Sequence, residues 1–286
     1  MFATSSLAGR IERAEVALVA SAAEACGARV PASQMINTRV AGGVAVFVEQ
    51  GCPFNKIAGL GFDGVPSDAE LDAIESGFAD RGAPVQAEVS SLGDPGVVRQ
   101  LTRRHYELVG FENVLGLDLR AWQPPAETGA GIDVQPAMDS EGRIWLATVT
   151  DGFLQPDVSD GPAGHESFPR ESLERIFGDS LRSTGMERYL ARRDGVIAGG
   201  ASLRAGDGVA LLCGAATLPE HRRRGVQRAL LYERLRLAIA RGCDLAVVTT
   251  EPASKSQANV ERVGFALLYV RAVLVKSPGV RRSSAL

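Results

Sequence analysis

Residues 219–231, PEHRRRGVQRALL, combine the residue types that bind phosphate in proteins. Arg222, Arg223 and Arg224 precede Gly225, and the stretch runs into a pattern that predicts an amphipathic helix. The first N–H groups of a helix lack intrahelical acceptors and carry the positive end of the helix dipole. Glycine lets a ligand approach the backbone, and guanidinium groups suit bidentate phosphate contacts. Three arginines in a first helical turn oppose the dipole unless an anion is bound, which favours a phosphate site.

The spacing alone is also compatible with arginines that point into water and a glycine without a role. The order of the surrounding elements favours the anion site. The β-type run VALLCGAATL (209–218) precedes the stretch, its helix extends to Arg241, and DLAVVTT (244–250) predicts the next strand.

The first half of the chain repeats this plan without the arginines. Residues 62–90 parallel residues 215–250, because each segment has a strand, a proline, a helix, an Arg-Gly stop and a further strand. In the first copy the helix begins with Asp68, Glu70 and Asp72, which would repel phosphate. The repeat predicts two halves of one architecture, of which only the second has an anion site.

Periodicity, caps and turn residues predict the other elements. Ser67 is the expected N-cap of its helix and Gly82 the expected stop. Helices are predicted at 7–26, 67–81, 95–105, 142–150, 169–177, from the arginine stretch to 241, and at 254–263. Strands are predicted within 38–50, 55–62, 84–90, 106–119, 132–137, 186–195, 196–206, 209–218, 244–250 and 264–276.

Composition excludes several classes of protein. The 286 residues carry a formal net charge of -3, which disfavours a broad nucleic-acid-binding face. The four cysteines are scattered, which fits buried thiols in a reducing compartment better than disulfides or zinc, and three separate histidines do not suggest a metal site. The first apolar stretch contains charges, unlike a signal peptide, and no apolar run is long enough to span a bilayer. The expected location is the cytoplasm.

The second half resembles the GNAT superfamily of acyl-CoA-dependent N-acyltransferases. That family carries Gln/Arg-x-x-Gly-x-Gly/Ala between a strand and a helix, where backbone amides hold the CoA pyrophosphate. This chain matches at Arg222 and Gly225 and departs at Gln227, where the family usually has Gly or Ala. The resemblance spans about residues 130–276, and it extends to SKSQANVERVGF (254–265), which is similar to the family's late helix and Gly-Phe pair.

The resemblance implies which residues would contact acetyl-CoA. The strand before the motif splays from its neighbour in the family, so the backbone of residues 213–217 would face the pantetheine arm. Ser256 and Asn259 lie where family members often place polar groups, although Asn259 could also serve only its helix. The implied contacts are Ala215, Ala216, Thr217, Arg222, Arg223, Arg224, Gly225, Val226, Gln227, Arg228, Ser256 and Asn259.

The acid and base of acyl transfer are less evident in the sequence. The family often has a tyrosine as acid shortly before the Gly-Phe pair, but that position holds Val260. Tyr269 is a substitute candidate, although an aromatic residue in a strand is also a common core residue. Glu251, at the end of a strand, is the preferred base, with a solvated carboxylate as the alternative. Cys213 on its apolar strand fits packing better than a nucleophile.

The acceptor pocket would be formed by early loops of the second half. The loop 151–167 carries Asp157, Asp160 and Glu166, which would suit a cationic amine as an acceptor lid. Trp122, Trp145 and Phe168 could shape the pocket or be structural.

Together these observations predict a tandem α/β (α+β) protein with two GNAT-like domains, each a mixed, largely antiparallel sheet flanked by helices. The predicted units are a degenerate domain (1–120), a linker (121–131), an acetyl-CoA-binding domain (132–276) and a disordered tail (277–286). The predicted activity is direct transfer of an acetyl group from acetyl-CoA to a primary amine of a small or amino-acid-like acceptor. No metal, nucleic acid or membrane is expected as a partner, and a homodimer is compatible with this. The alternative is a non-catalytic acyl-CoA sensor or interaction protein.

Overall fold

The computed structural model describes residues 2–125, 131–155, 168–183 and 185–278. Its helices are α1 (Ser5–Cys26), α2 (Asp68–Asp80), α3 (Pro95–Arg103), α4 (Gly142–Leu154), α5 (Arg170–Ser180), α6 (Val226–Ala240) and α7 (Lys255–Glu261). Its strands are β1 (Ile36–Val40), β2 (Gly43–Phe47), β3 (Lys56–Ala58), β4 (Val85–Ser90), β5 (Glu107–Asp118), β6 (Ile132–Pro136), β7 (Met186–Arg193), β8 (Val196–Gly206), β9 (Val209–Thr217), β10 (Leu245–Thr250) and β11 (Ala266–Lys276).

Local capping explains why α2 begins and ends where the sequence predicts. The Ser67 hydroxyl accepts from the Glu70 N–H, and the Glu70 carboxylate accepts from the Ser67 N–H, which forms a capping box. Gly82 lies at φ +65°, the left-handed conformation that stops a helix at low cost. Ser254 caps α7 by accepting a hydrogen bond from the Gln257 N–H.

One continuous sheet joins the two halves of the chain. Its strand order is β1-β2-β3-β4-β11-β5-β10-β9-β8-β7-β6. Every neighbouring pair is antiparallel except β3–β4 and β9–β10, which occupy corresponding places in the two halves. The predicted α/β class with a mixed, largely antiparallel sheet is confirmed.

The last strand of each half lies beside the other half. β5 pairs with β10, and β11 pairs with β4, while β5 and β11 pair with each other in the middle of the sheet. The halves are therefore interlocked by exchanged strands. The predicted linker at 121–131 and the predicted tail stay predictions, because residues 126–130 and 279–286 lie outside the described part.

The helices cover both faces of the sheet. Adjacent residues of a strand point to opposite faces. A Cβ added at Gly199 would meet Val226 of α6, whereas one added at Gly200 would meet Val149 of α4. Thus α6 and α4 lie on opposite faces. α5 packs beside α1 on the α4 face, where Ile176 joins the apolar residues of α1. Among the described residues, no helix combines the length and apolar character required to cross a bilayer.

A cluster of charged side chains is buried under α1, where the exchanged strands meet. Arg271 of β11 is only 1% exposed, and its Nε donates to Glu12 Oε1 at 2.8 Å. Its Nη1 lies 3.5 Å from a carboxylate oxygen of Glu112 and 3.9 Å from one of Glu88. Lys56 donates to Glu88 at 2.8 Å. Burial, together with the neighbouring Glu88 carboxylate, raises the pKa of Glu112 to about 8.

The raised pKa of Glu112 predicts a measurable pH dependence of stability. A carboxyl with a higher pKa in the folded than in the unfolded state binds its proton more tightly when folded. Its contribution to the free energy of unfolding therefore falls as pH rises from about 4.5 to about 8. The slope is at most about 1.4 kcal/mol per pH unit. We expect Glu112→Gln to remove this slope in denaturant unfolding measured across that range. Glu107→Gln, at an exposed position of the same strand, is the matched control, and equal slopes for both variants would contradict the prediction.

Candidate active site

The arginine stretch forms a turn between β9 and α6. Residues Pro219–His221 make a short 3-10 turn, and the Arg222 N–H donates to the Pro219 carbonyl. Arg223 at φ +59° and Gly225 at φ +88° are both left-handed, so the chain reverses direction before the helix begins at Val226. The prediction that the three arginines lie in the first turn of the helix is wrong. They precede it, and Gly225 is the N-cap.

The backbone of this turn presents a row of N–H groups. Ala229 is the first residue of α6 whose N–H bonds back, to the carbonyl of Gly225. No described residue accepts a hydrogen bond from the N–H groups of residues 223–228. A Cβ at Gly225 would meet only Ile132 Cδ1, at 3.5 Å, so the approach to the turn is open. These donors and the helix dipole can bind an anion.

The arginine side chains divide into two groups. Arg222 stabilises the turn, because its guanidinium donates hydrogen bonds to the carbonyls of Thr217 and Gln155. Arg223, Arg224 and Arg228 are exposed, and none forms an ion pair with a described residue. The exposed arginines can therefore approach a phosphate group.

The two central strands of the second half separate next to this turn. Parallel pairing of β9 and β10 runs from Val209–Leu245 to Leu211–Val247 and stops, although the strands continue to Thr217 and Thr250. The Oγ1 atoms of Thr217 and Thr250 are buried and have no hydrogen-bond partner among the described residues. A gap between strands with unpaired backbone and hydroxyl groups can accept an extended polar chain such as a pantetheine arm.

Two residues predicted from the resemblance contact each other across α6 and α7. Asn259 Nδ2 donates to Gln227 Oε1 at 2.7 Å, and Arg262 Nη1 donates to Asn259 Oδ1 at 2.9 Å. The larger side chain at position 227 is thus held towards α7. The half-buried Ser256 lies on the same helix.

Sequence reasoning missed the polar contacts between β5 and α7. Asn113 of β5 is buried and donates to Gln257 Oε1 at 3.0 Å, which also accepts from the Ala253 N–H. Asn113 pairs with Thr250 at the end of β10. An asparagine inside the apolar run of β5 was the available signal, but its role depends on the exchange of strands.

The two predicted catalytic residues lie in different environments. Glu251 follows β10 and is exposed. Tyr269 is buried, and its hydroxyl donates to Glu12 Oε1 at 2.7 Å. Burial and the Glu12 carboxylate raise its pKa well above the usual range. Tyr269 pairs with Val114, which pairs with Thr249, so two strand spacings, about 10 Å, separate Tyr269 from the backbone of β10.

Other side chains named from the sequence have structural contacts. Trp145 is 2% exposed in the core and donates to the Ala201 carbonyl, while the Trp122 ring packs against Tyr232. Burial raises the pKa of Cys213 to about 11, so its thiol is protonated at neutral pH. Within the described ranges, no three His, Cys, Asp or Glu side chains are grouped to hold a metal ion.

The predicted acceptor lid carries three acids, Asp157, Asp160 and Glu166. All three lie outside the described residues.

Part of the second half matches a known protein family. Residues 154–265 match the model of the acetyltransferase (GNAT) family. The chain carries a GNAT-family domain. This match includes the arginine turn, the separated strands and α7, and it confirms the resemblance seen in the sequence. A search of curated proteins gave no match.

Solved structures share the fold of this chain over most of its length. A GCN5-related N-acetyltransferase from Kribbella flavida superposes with a TM-score of 0.62 at 21% identity, covering 92% of this chain and 96% of that chain. A tandem GNAT protein from the clavulanic acid biosynthesis pathway has a TM-score of 0.60 at 15% identity, and the match covers 90% of this chain and 88% of that chain. A conserved protein of unknown function from Staphylococcus epidermidis has a TM-score of 0.59 at 9% identity, and the match covers 84% of this chain and 92% of that chain.

Proposed function

We propose that this protein is an N-acetyltransferase that moves the acetyl group of acetyl-CoA to a primary amine of a small or amino-acid-like acceptor. The observation that carries the proposal is the turn of residues 222–225 beside separated strands. The N–H groups of residues 223–228 have no acceptor among the described residues, and Gly225 leaves them accessible. These residues fit a pyrophosphate because fixed donors, a helix dipole and exposed guanidinium groups converge there.

The cofactor-binding residues would divide the contacts to acetyl-CoA among themselves. The backbone of Arg223 to Arg228 would bind the pyrophosphate, with the exposed arginines adding charge. Ala215, Ala216 and Thr217 would pair with the pantetheine arm through the backbone of β9, and Ser256 and Asn259 would face it from α7. Acetyl-CoA would supply an activated thioester carbonyl, and no covalent enzyme intermediate would be needed.

Glu251 is the proposed base. It is exposed directly after β10, where a carboxylate can take a proton from an ammonium group at the edge of the gap. The first half would then serve as a structural partner that supplies β5 to the side of β10.

The environment of Tyr269 favours a second candidate, a non-catalytic acyl-CoA-binding protein. Its hydroxyl is held by Glu12 inside the buried cluster, and Val260 occupies the place where the family often has its tyrosine. If no other group protonates the leaving thiolate, the protein would bind acyl-CoA without turnover.

Release of CoA in the presence of a panel of amines, measured beside CoA binding by calorimetry, separates the two functions. We expect binding and turnover of at least one amine, and a lower kcat with unchanged CoA affinity for Glu251→Gln. Binding without turnover of any amine would support the sensor. Full activity of Glu251→Gln would remove Glu251 as the base.

A further inference from the structure

β9 contains a bulge next to the gap between β9 and β10. Ser202 of β8 pairs with Cys213, whereas Gly200 pairs with Ala216, so two residues of β9 lie opposite one residue of β8. The extra residue is accommodated at Gly214, which has a φ of +57°. A bulge bends its strand and leaves part of the hydrogen-bond ladder unpaired.

Buried side chains from opposite faces of the sheet bind the backbone at this bulge. From α4, Trp145 Nε1 donates to the Ala201 carbonyl at 3.1 Å. From α6, Arg234 Nη1 donates to the carbonyl of Ser202 at 3.0 Å and to that of Cys213 at 3.4 Å. The carbonyl groups of both strands are therefore held by side chains where the regular ladder is interrupted.

Arg234 is an unusual residue for this position. It is 3% exposed, and its third hydrogen bond goes to the Leu230 carbonyl, so its partners in the described residues are carbonyl groups and not carboxylates. Burial lowers the pKa of its guanidinium to about 10, which leaves it charged at neutral pH. A buried cation without a carboxylate is costly, and an apolar side chain would pack there more cheaply.

The bulge determines the direction of the β9 backbone beside the gap. Pairing with β10 ends at Leu211, and the bulge follows within three residues, at Gly214. Beyond it, Ala216 contacts α4 through the close approach of Gly152. A change in the bulge would thus turn the peptide groups of residues 214–217 relative to the gap.

We propose that Arg234 is a positioning residue for acyl transfer, because it fixes the bulge of β9 and hence the orientation of the peptide groups of residues 214–217, which would line the gap for acetyl-CoA. This inference rests on the proposed acetyltransferase function. Arg234 acts through its hydrogen bonds to the carbonyl groups of Ser202 and Cys213. The phosphate turn at the start of α6 is formed by other residues, so the two effects can be separated.

The experiment compares Arg234→Met, Arg234→Lys and the wild type in full-length protein. We expect Arg234→Met to lower kcat on the order of 10- to 100-fold, as a displaced catalytic geometry does. The affinity for CoA, measured by calorimetry, should fall by a smaller factor than kcat, because the turn of residues 222–225 is untouched and only the contacts of residues 215–217 with the pantetheine arm are displaced. Arg234→Lys keeps one cationic donor and should recover part of kcat. Arg236→Met, at an exposed ion pair with Glu233 on the same helix, is the matched control and should leave both values unchanged.

Hydrogen exchange gives a readout that does not depend on turnover. We expect faster amide exchange in residues 213–217 of Arg234→Met, with unchanged exchange in the turn of residues 222–225. If Arg234→Met does not fold, Arg234→Lys and Trp145→Phe take its place, since Trp145→Phe removes the hydrogen bond to Ala201 from the other face.

The outcomes distinguish this inference from the proposed function. Variants with a lower melting temperature but wild-type kcat and exchange at 213–217 would overturn the positioning role and leave Arg234 as a packing residue. A wild type that binds CoA but acetylates no amine would overturn the enzymatic function, and with it the role in transfer. Faster exchange at 213–217 would then still show that Arg234 holds the bulge.

Discussion

Gly225→Val is expected to weaken CoA binding on the order of 100-fold. Gly225 has a φ of +88°, which a β-branched residue avoids, so valine would force the turn to rearrange. The rearrangement would remove N–H groups from the anion site, and each hydrogen bond to a charged group contributes about 1.5–3 kcal/mol. Calorimetric titration with CoA measures the loss.

The matched control is Gly242→Val at the other end of α6. Gly242 has a φ of +76° and nothing within 4 Å of an added Cβ, so it carries the same backbone strain away from the turn. Both variants should lose about 1–2 kcal/mol of stability, but only Gly225→Val should lose CoA affinity. Acetyl-pantetheine lacks the pyrophosphate, and its binding should change far less than that of CoA. Equal CoA affinities of the two variants would discard the phosphate site.

Elements defined by local chemistry could be predicted from the sequence. The capping box of Ser67 and Glu70 and the left-handed Gly82 involve neighbours in the chain, so α2 begins and ends as expected. An anion site could be predicted for a similar reason, since its proposed donors come from one continuous turn. The position of the arginines within that turn was wrong because Pro219 starts a short 3-10 turn that delays the helix.

Features that depend on distant partners could not be predicted. β5 and β11 are both long apolar strands, so periodicity does not tell which of them lies beside β10. The burial of the Tyr269 hydroxyl follows from this exchange, because its hydrogen-bond partner, Glu12, is 257 positions away in the chain. The role of Arg234 could not be predicted either, since an arginine in an amphipathic helix is ordinarily solvated and two of its three carbonyl partners lie on β8 and β9.

Arg271→Met is expected to cost about 3–5 kcal/mol of folding free energy, because it removes one of the two cations of a buried cluster and leaves Glu12 without its ion-pair partner, while Lys56 remains beside Glu88. Arg271 is 1% exposed and its Nε donates to Glu12, which is 2% exposed. Arg236→Met removes an exposed ion-pair partner and should change stability by less than about 0.5 kcal/mol. Arg271→Lys keeps the charge and should fall between the two.

Arg271 connects the two halves of the chain, so its removal should weaken the contacts between them. Arg271 lies on β11 in the second half of the chain. Its partners Glu12, Glu88 and Glu112 lie on α1, β4 and β5 in the first half. Because the exchanged strands interlock the halves, denaturant should unfold wild type and variant in one transition, with the midpoint of the variant shifted. The cost should be smaller at pH 5.5 than at pH 8, since the carboxyls left without the cation take up protons as pH falls. A loss below about 1 kcal/mol at both pH values, or unfolding of one half alone, would show that the cluster does not hold the exchanged strands together.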